Sequence, residues 1–251
     1  MLSNAELDHY NSTGQVTPAY KLAPEMVDDI KVRMGQLFDD HPELDSDYAP
    51  SLIEYDLGWL NYGADTGILD CVAQIMGDDI IVWGSALFCK KAIGGKPTPW
   101  HQDGQYWPIR PLEACTVWIA LDKSTRENGC LRVIPGSHKR KEIFKHEFER
   151  EGEQILNQRV NAVSMLNAEP VDIVLEPGMI SLHDAFIIHG AEPNKSGLRR
   201  GGLTFRYMPT TSHYDRRLAA VLGEKQGGLP LEKRNLHLVR GVDRCGLNDV
   251  F

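Results

Sequence analysis

The chain has 251 residues, 42% hydrophobic and 25% charged, with 27 Lys+Arg against 35 Asp+Glu for a formal charge of −8 with histidines neutral. That is the composition of a globular protein rather than a disordered one. The acidic balance supplies no positive field to grip nucleic acid or an anionic membrane surface, and no apolar run approaches the roughly 18 residues of a membrane span. The five cysteines are odd in number, widely spaced and without a CxxC pair, which disfavours a disulfide framework or a cysteine zinc site. With no basic-then-apolar signal segment in residues 1–6, the expected setting is reducing and cytoplasmic.

Taken in order, Ser3 and Glu6 have capping-box spacing and predict a short opening helix. A second helix fits residues 24–38, with Pro24 in its tolerant first turn and Ile30, Met34, Leu37 and Phe38 on one stripe. A third fits residues 65–76. From residue 79 the period changes. Runs at 80–83 and 87–89, 115–121, 131–134, 171–175, 179–182, 185–188 and 203–207 read as strands. Turn signals separate them at Asn128-Gly129, Pro135-Gly136, Pro177-Gly178 and 193–197.

The expected fold is therefore mainly β with flanking helices, an antiparallel sandwich or barrel. A single domain over 1–251 is expected: a helical part at about 1–77, a core at about 78–210 and a C-terminal extension at about 211–251. The highly charged run 139–158 reads as a surface helix or flap. It and 212–240 are the lid candidates.

The chemistry concentrates in two places. In Trp100-His101-Gln102-Asp103, an extended backbone projects His101 and Asp103 to one face, where they can share a metal ion. His189 ends the apolar run Ile187-Ile188, where an unpartnered imidazole is costly. Arg200 follows eleven residues later, across a turn with Pro193, Asn194 and Gly197. Two histidines and one carboxylate match the facial triad of non-heme Fe(II) oxygenases, which leaves coordination positions open. A nearby guanidinium suits the far carboxylate of a bound 2-oxo acid. His183 competes with His189 as third ligand but is assigned a structural hydrogen bond; His138 reads as a cap or surface histidine and Asp184 as a turn residue.

The run from Trp100-His101-Gln102-Asp103 through Tyr106-Trp107-Pro108 to Arg110-Pro111 resembles the phytanoyl-CoA dioxygenase family. So do Asn128-Gly129-Cys130-Leu131 with Val133 to His138, and His189-Gly190 followed by Asn194 and Arg200. The resemblance implies a double-stranded β-helix (jelly-roll, cupin-like) fold and an Fe(II)- and 2-oxoglutarate-dependent dioxygenase using O2. It assigns iron to His101, Asp103 and His189, the distal carboxylate of 2-oxoglutarate to Arg200, and the cosubstrate pocket to Gln102 and Trp118. A small hydroxyl residue often follows His-Gly in the family; here it is Ala191. A related halogenating enzyme has a small residue where this chain has Asp103, so hydroxylation is implied.

Strand alternation adds Thr116 to the cavity face beside Trp118, and Arg206 to the face of Arg200 provided no bulge intervenes. Arg206 favours an anionic or zwitterionic small-molecule substrate, an aminoalkylphosphonate among the options. Tyr106, Trp107 and Arg110 are placed at the substrate mouth. Lys225, Lys233 and Arg234 keep an acyl-CoA substrate open, and a natural-product intermediate is a further alternative. A non-catalytic jelly-roll binder is the reading from another class, and the complete ligand set opposes it.

Overall fold

In the computed structural model, residues 1–148, 155–161, 168–225 and 230–251 are described. Helix α1 (Asn4–Thr13) opens with the anticipated capping box, Ser3 and Glu6 bonding reciprocally, and closes on Gly14 in the left-handed region. Helix α2 (Pro24–Asp40) has Pro24 in its first turn. Helix α3 (Thr66–Met76) is capped by Asp65, whose carboxylate accepts from Ile68 N–H at 3.0 Å.

The strands are β1 (Gln15–Val16), β2 (Ile80–Lys90), β3 (Thr98–His101), β4 (Cys115–Ala120), β5 (Leu131–Val133), β6 (Val171–Ile173), β7 (Ile180–Asp184), β8 (His189–Ala191), β9 (Arg200–Pro209) and β10 (His237–Arg240). They form two antiparallel sheets. The larger runs β1-β7-β4-β9-β2-β10, with Ala49–Pro50 also pairing with β2; the smaller runs β6-β5-β8-β3. This is the double-stranded β-helix.

Alternation along β4 decides which side chains see the interior. Val117, Ile119 and Leu121 pack outward against Ile30, Met34, Ile68 and Val72 of the helices. Trp118 and Ala120 point inward to Leu131, Val133 and Ile173 of the smaller sheet. The helices thus cover one face of the larger sheet, and the space between the sheets is left for the site.

One expectation is corrected and two are made specific. Residues 185–188 are not a strand but a buried turn, because the Asp184 carboxylate accepts from Phe186 N–H at 2.8 Å and bends the chain. In 139–158 no helix longer than the short helical turn Ser137–Arg140 forms among the described residues; strand His146–Phe148 pairs there with Gln158–Val160, and residues 149–154 lie outside the described set. The C-terminal extension is built into the fold: β10 joins the larger sheet, and Tyr214, Ala219, Leu231 and Leu236 share a core with Trp83 and Trp107. Among the described residues no helix is long and apolar enough to cross a membrane.

Candidate active site

His101 ends β3, and Gln102 stays extended before the helical turn Asp103–Tyr106 begins. The pleat therefore returns Asp103 to the face of His101. Across the smaller sheet, His189 stands in register opposite His101, and the two rings lie 4.1 Å apart between centroids. One ligand atom from each of His101, Asp103 and His189 falls within 4.8 Å of the others.

The orientation of each ligand is fixed from behind. His101 Nδ1 lies 2.8 Å from Pro99 O and His189 Nδ1 lies 3.1 Å from Ile187 O. Donation to those carbonyls places the proton on Nδ1 and leaves both Nε2 lone pairs facing the centre. Asp103 Oδ1 lies 3.4 Å from His101 Nε2 and 3.7 Å from His189 Nε2. Burial works to raise the Asp103 carboxyl, but His189, His101 and His183 around it outweigh this and hold it well below the usual carboxylate range. Burial, reinforced by His101, pushes His189 well below an ordinary histidine. Two imidazoles and a carboxylate, converging with open space before them, are a donor set that fits a divalent iron.

Arg200 starts β9, where it is 3% exposed, with its guanidinium carbon 5.3 Å from the Trp118 ring centre. Its Nε has no hydrogen-bond partner and it forms no ion pair among the described residues. Burial lowers it to about 10, still above neutral pH, so it remains cationic. A narrow cavity of about 50 Å³ connects it to His101, Asp103 and His189 along Trp118. A larger cavity, about 310 Å³, opens on the other side of His101 and Asp103 and is lined by Trp83, Tyr106, Trp107 and Arg206. A β-bulge on the β2 side falls between Arg206 and Tyr207, after Arg206 has already turned inward, so Arg206 lines both cavities.

Several assignments change. Thr116 does line the narrow cavity, but its hydroxyl donates to Asp103 Oδ2 at 2.9 Å. It steadies the carboxylate, leaving Oδ1 as the oxygen that would be available to an ion. Gln102 is fully buried and its amide is used up: Nε2 donates to Phe186 O at 2.7 Å and Glu142 O at 2.9 Å, and Oε1 accepts from Phe144 N–H at 2.7 Å. No polar atom is left over for a cosubstrate. Arg110 is exposed, and Nη1 donates to Ile109 O at 2.7 Å, away from both cavities. Among the described residues His183 makes no structural hydrogen bond; both ring nitrogens are buried without a partner there, with Nε2 3.6 Å from Asp103 Oδ2. His138 is buried rather than superficial, its Nε2 3.2 Å from Asn11 O. One residue of the larger cavity, Arg234, was singled out only as a possible coenzyme contact; it stands in a segment without periodic pattern.

The family model for phytanoyl-CoA dioxygenase (PhyH) matches residues 1–202. This chain belongs to the phytanoyl-CoA dioxygenase family. Among curated relatives of the family, a peroxisomal phytanoyl-CoA dioxygenase of Bos taurus is 31% identical over 73% of this chain and 53% of its own length. A probable alpha-ketoglutarate-dependent hypophosphite dioxygenase of Stutzerimonas stutzeri is 31% identical over 56% of this chain and 49% of its own. The chain thus spans about half the length of the curated relatives it matches. Among solved structures, the epimerase SnoN in complex with Fe3+, alpha-ketoglutarate and nogalamycin RO superimposes with a TM-score of 0.70 at 20% identity, covering 84% of each chain. That likeness supports the double-stranded β-helix. His101, Asp103, His189 and Arg200 all lie inside the family match; Arg206 and Arg234 lie beyond it.

Proposed function

We propose that this protein is an Fe(II)- and 2-oxoglutarate-dependent dioxygenase that hydroxylates an unactivated C–H bond of a small anionic or zwitterionic metabolite, releasing succinate and CO2. The observation that carries the reading is the pairing of the convergent His101, Asp103 and His189 with a buried Arg200, unpaired among the described residues, at the far end of one narrow cavity. A 2-oxo acid with a second carboxylate matches both ends: a chelating end at the ion and an anionic end at the guanidinium. With iron bound, the oxidative decarboxylation of 2-oxoglutarate by O2 supplies the oxidising equivalent for the hydroxylation.

The chain's own residues do the rest. His101, Asp103 and His189 hold the ion on one face, and Thr116 and the two backbone carbonyls keep those ligands aimed. Arg200 fixes the cosubstrate's distal carboxylate, with Trp118 packed beneath it. Trp83, Trp107 and Tyr106 wall the larger cavity on the substrate side. At about 310 Å³ that cavity is at the lower end of small-molecule sites, which favours a compact metabolite over a long acyl-CoA. Arg206 supports an anionic group on that metabolite, and the hypophosphite-oxidising relative is a second pointer to phosphorus chemistry.

Adding Fe(II) and 2-oxoglutarate to the full-length protein under argon should develop the visible charge-transfer absorption of an iron-bound 2-oxo acid. Oxygen should then yield succinate. A protein that binds iron but shows neither the absorption nor any iron-dependent consumption of 2-oxoglutarate would refute the proposal.

A further inference from the structure

Arg206 and Arg234 reach the larger cavity from unrelated parts of the chain. Arg206 leaves β9, whereas Arg234 follows the helical turn Leu231–Lys233 in the C-terminal segment. Their Nη1 atoms lie 3.5 Å and 3.4 Å from the point where a Cβ on Gly84 would sit. The two guanidinium groups therefore converge above one glycine of β2.

Among the described residues neither group is neutralised. Arg206 is 9% exposed, and its Nε has no hydrogen-bond partner among the described residues. No carboxylate pairs with either arginine among the described residues. Arg234 packs over Trp83, 5.7 Å from the ring centre, and donates to the Ser51 hydroxyl at 3.0 Å. The acid that acts on it, Glu54, binds Asn235 through both oxygens, at 3.1 Å and 3.0 Å. Two like charges withdrawn from water and placed together repel each other, and both have donors to spare. An anion with several oxygens entering between them would relieve both costs at once.

We infer that Arg206 and Arg234 form the binding site for a doubly charged tetrahedral oxyanion on the substrate, a phosphonate or phosphate monoester group. This deepens the dioxygenase reading and rests on it for the role of the adjacent cluster. A carboxylate has two oxygens and one charge, enough for one guanidinium. A phosphonate has three oxygens and two charges, enough for both. His101 and Asp103 line the same cavity, so an anion anchored at the arginines leaves its carbon substituent toward the metal ligands.

The test is calorimetric titration of the full-length, metal-free protein with ethylphosphonate, ethyl phosphate, propionate and succinate. The phosphonate and the phosphate should bind at least about tenfold more tightly than either carboxylate. Arg206→Met and Arg234→Met should each weaken ethylphosphonate binding roughly ten- to hundredfold. Should a methionine variant not fold, Arg206→Lys and Arg234→Lys, which keep the charge but not the planar fork, should still bind more weakly than wild type. The inference is overturned if wild type does not bind ethylphosphonate, if propionate or succinate binds as tightly, or if the variants that fold bind as tightly as wild type. Because no metal, cosubstrate or turnover enters the measurement, its failure is separable from a failure of the dioxygenase reading, which is scored by 2-oxoglutarate consumption.

Discussion

Replacing Thr116 by valine removes one hydroxyl and changes the side chain's shape very little. That hydroxyl donates to Asp103 Oδ2 at 2.9 Å, while Oδ1 faces the histidine Nε2 atoms. Thr116 is 3% exposed, so water has little access to replace the lost donor. A hydrogen bond to a charged group contributes about 1.5–3 kcal/mol, which is roughly ten- to 150-fold in an equilibrium constant. His183 Nε2, 3.6 Å from the same oxygen, can take over part of that interaction once the carboxylate relaxes. Divalent-metal affinity should therefore fall by the lower part of that range, roughly ten- to thirtyfold. Competition against a chromophoric chelator under argon measures it, with the melting temperature as a control for folding. Thr116→Ser keeps the donor and should recover most of the affinity. Unchanged metal affinity in the valine variant, or a serine variant as weak as valine, would refute the assignment of Thr116 to the carboxylate.

Arg200→Met should raise the KM for 2-oxoglutarate by about a hundredfold or more while leaving metal affinity unaltered, since it removes a buried charge partner without touching a ligand; steady-state kinetics with a parallel metal titration checks both. Gly202→Ala puts a Cβ 2.1 Å from Trp118 Cζ2, so the indole must move. Overpacking should cost about 1–3 kcal/mol of stability and weaken 2-oxoglutarate binding by about tenfold, and unaltered binding would detach Trp118 from the cosubstrate pocket. Burial holds His146 at about 4, where its Nε2 accepts from Gln102 N–H at 3.1 Å and Nδ1 donates to Phe144 O at 2.8 Å. The unfolded chain takes up this proton near pH 6.5 and the folded chain only near 4. Stability should therefore be flat above about 6.5 and decline between about 6.5 and 4. For a half-exposed ring the loss is about 1–2 kcal/mol, a few degrees of melting temperature. His146→Gln should flatten that part of the profile, and an identical slope in the variant would assign it elsewhere.

The metal cluster was legible because its information is local. His101 and Asp103 share a four-residue run, and His189 announces itself as a polar residue ending an apolar one. Alternation also placed Thr116 and Trp118 on the inner face correctly. It gives a face, however, and not a partner: nothing in the pattern says whether a threonine hydroxyl will meet a cosubstrate or a neighbouring carboxylate. For Gln102 the signal was present, since its parity is opposite to that of His101 and Asp103 and it had to point away from the ion. Arg110 follows the same logic, as Ile109 is buried and its neighbour faces out. The run 185–188 is as apolar as a strand, but the Asp184 carboxylate accepting from Phe186 N–H and the Asp184 carbonyl accepting from Ile187 N–H at 3.1 Å make it a turn. Arg234 had no local signal. Its position depends on the C-terminal segment folding back over β2, a contact that no spacing within the segment encodes.

The two arginines of β9 explain how one strand separates two anions. Arg200 and Arg206 share parity and are six residues apart, about 20 Å along the strand at ~3.3 Å per residue. Arg206 pairs in register with Thr116, the residue that holds Asp103, while Thr204 pairs with Trp118 and Gly202 with Ala120. Walking along β9 therefore passes from the guanidinium of the narrow cavity, across the indole and the Asp103 carboxylate, to the guanidinium of the larger cavity. On the proposed reading, an acidic cosubstrate and an acidic substrate can be bound together because their counter-charges lie on opposite sides of His101 and Asp103. The first half of that arrangement falls within residues 1–202 and is matched by the family; the second is made by the end of β9 and the segment after it.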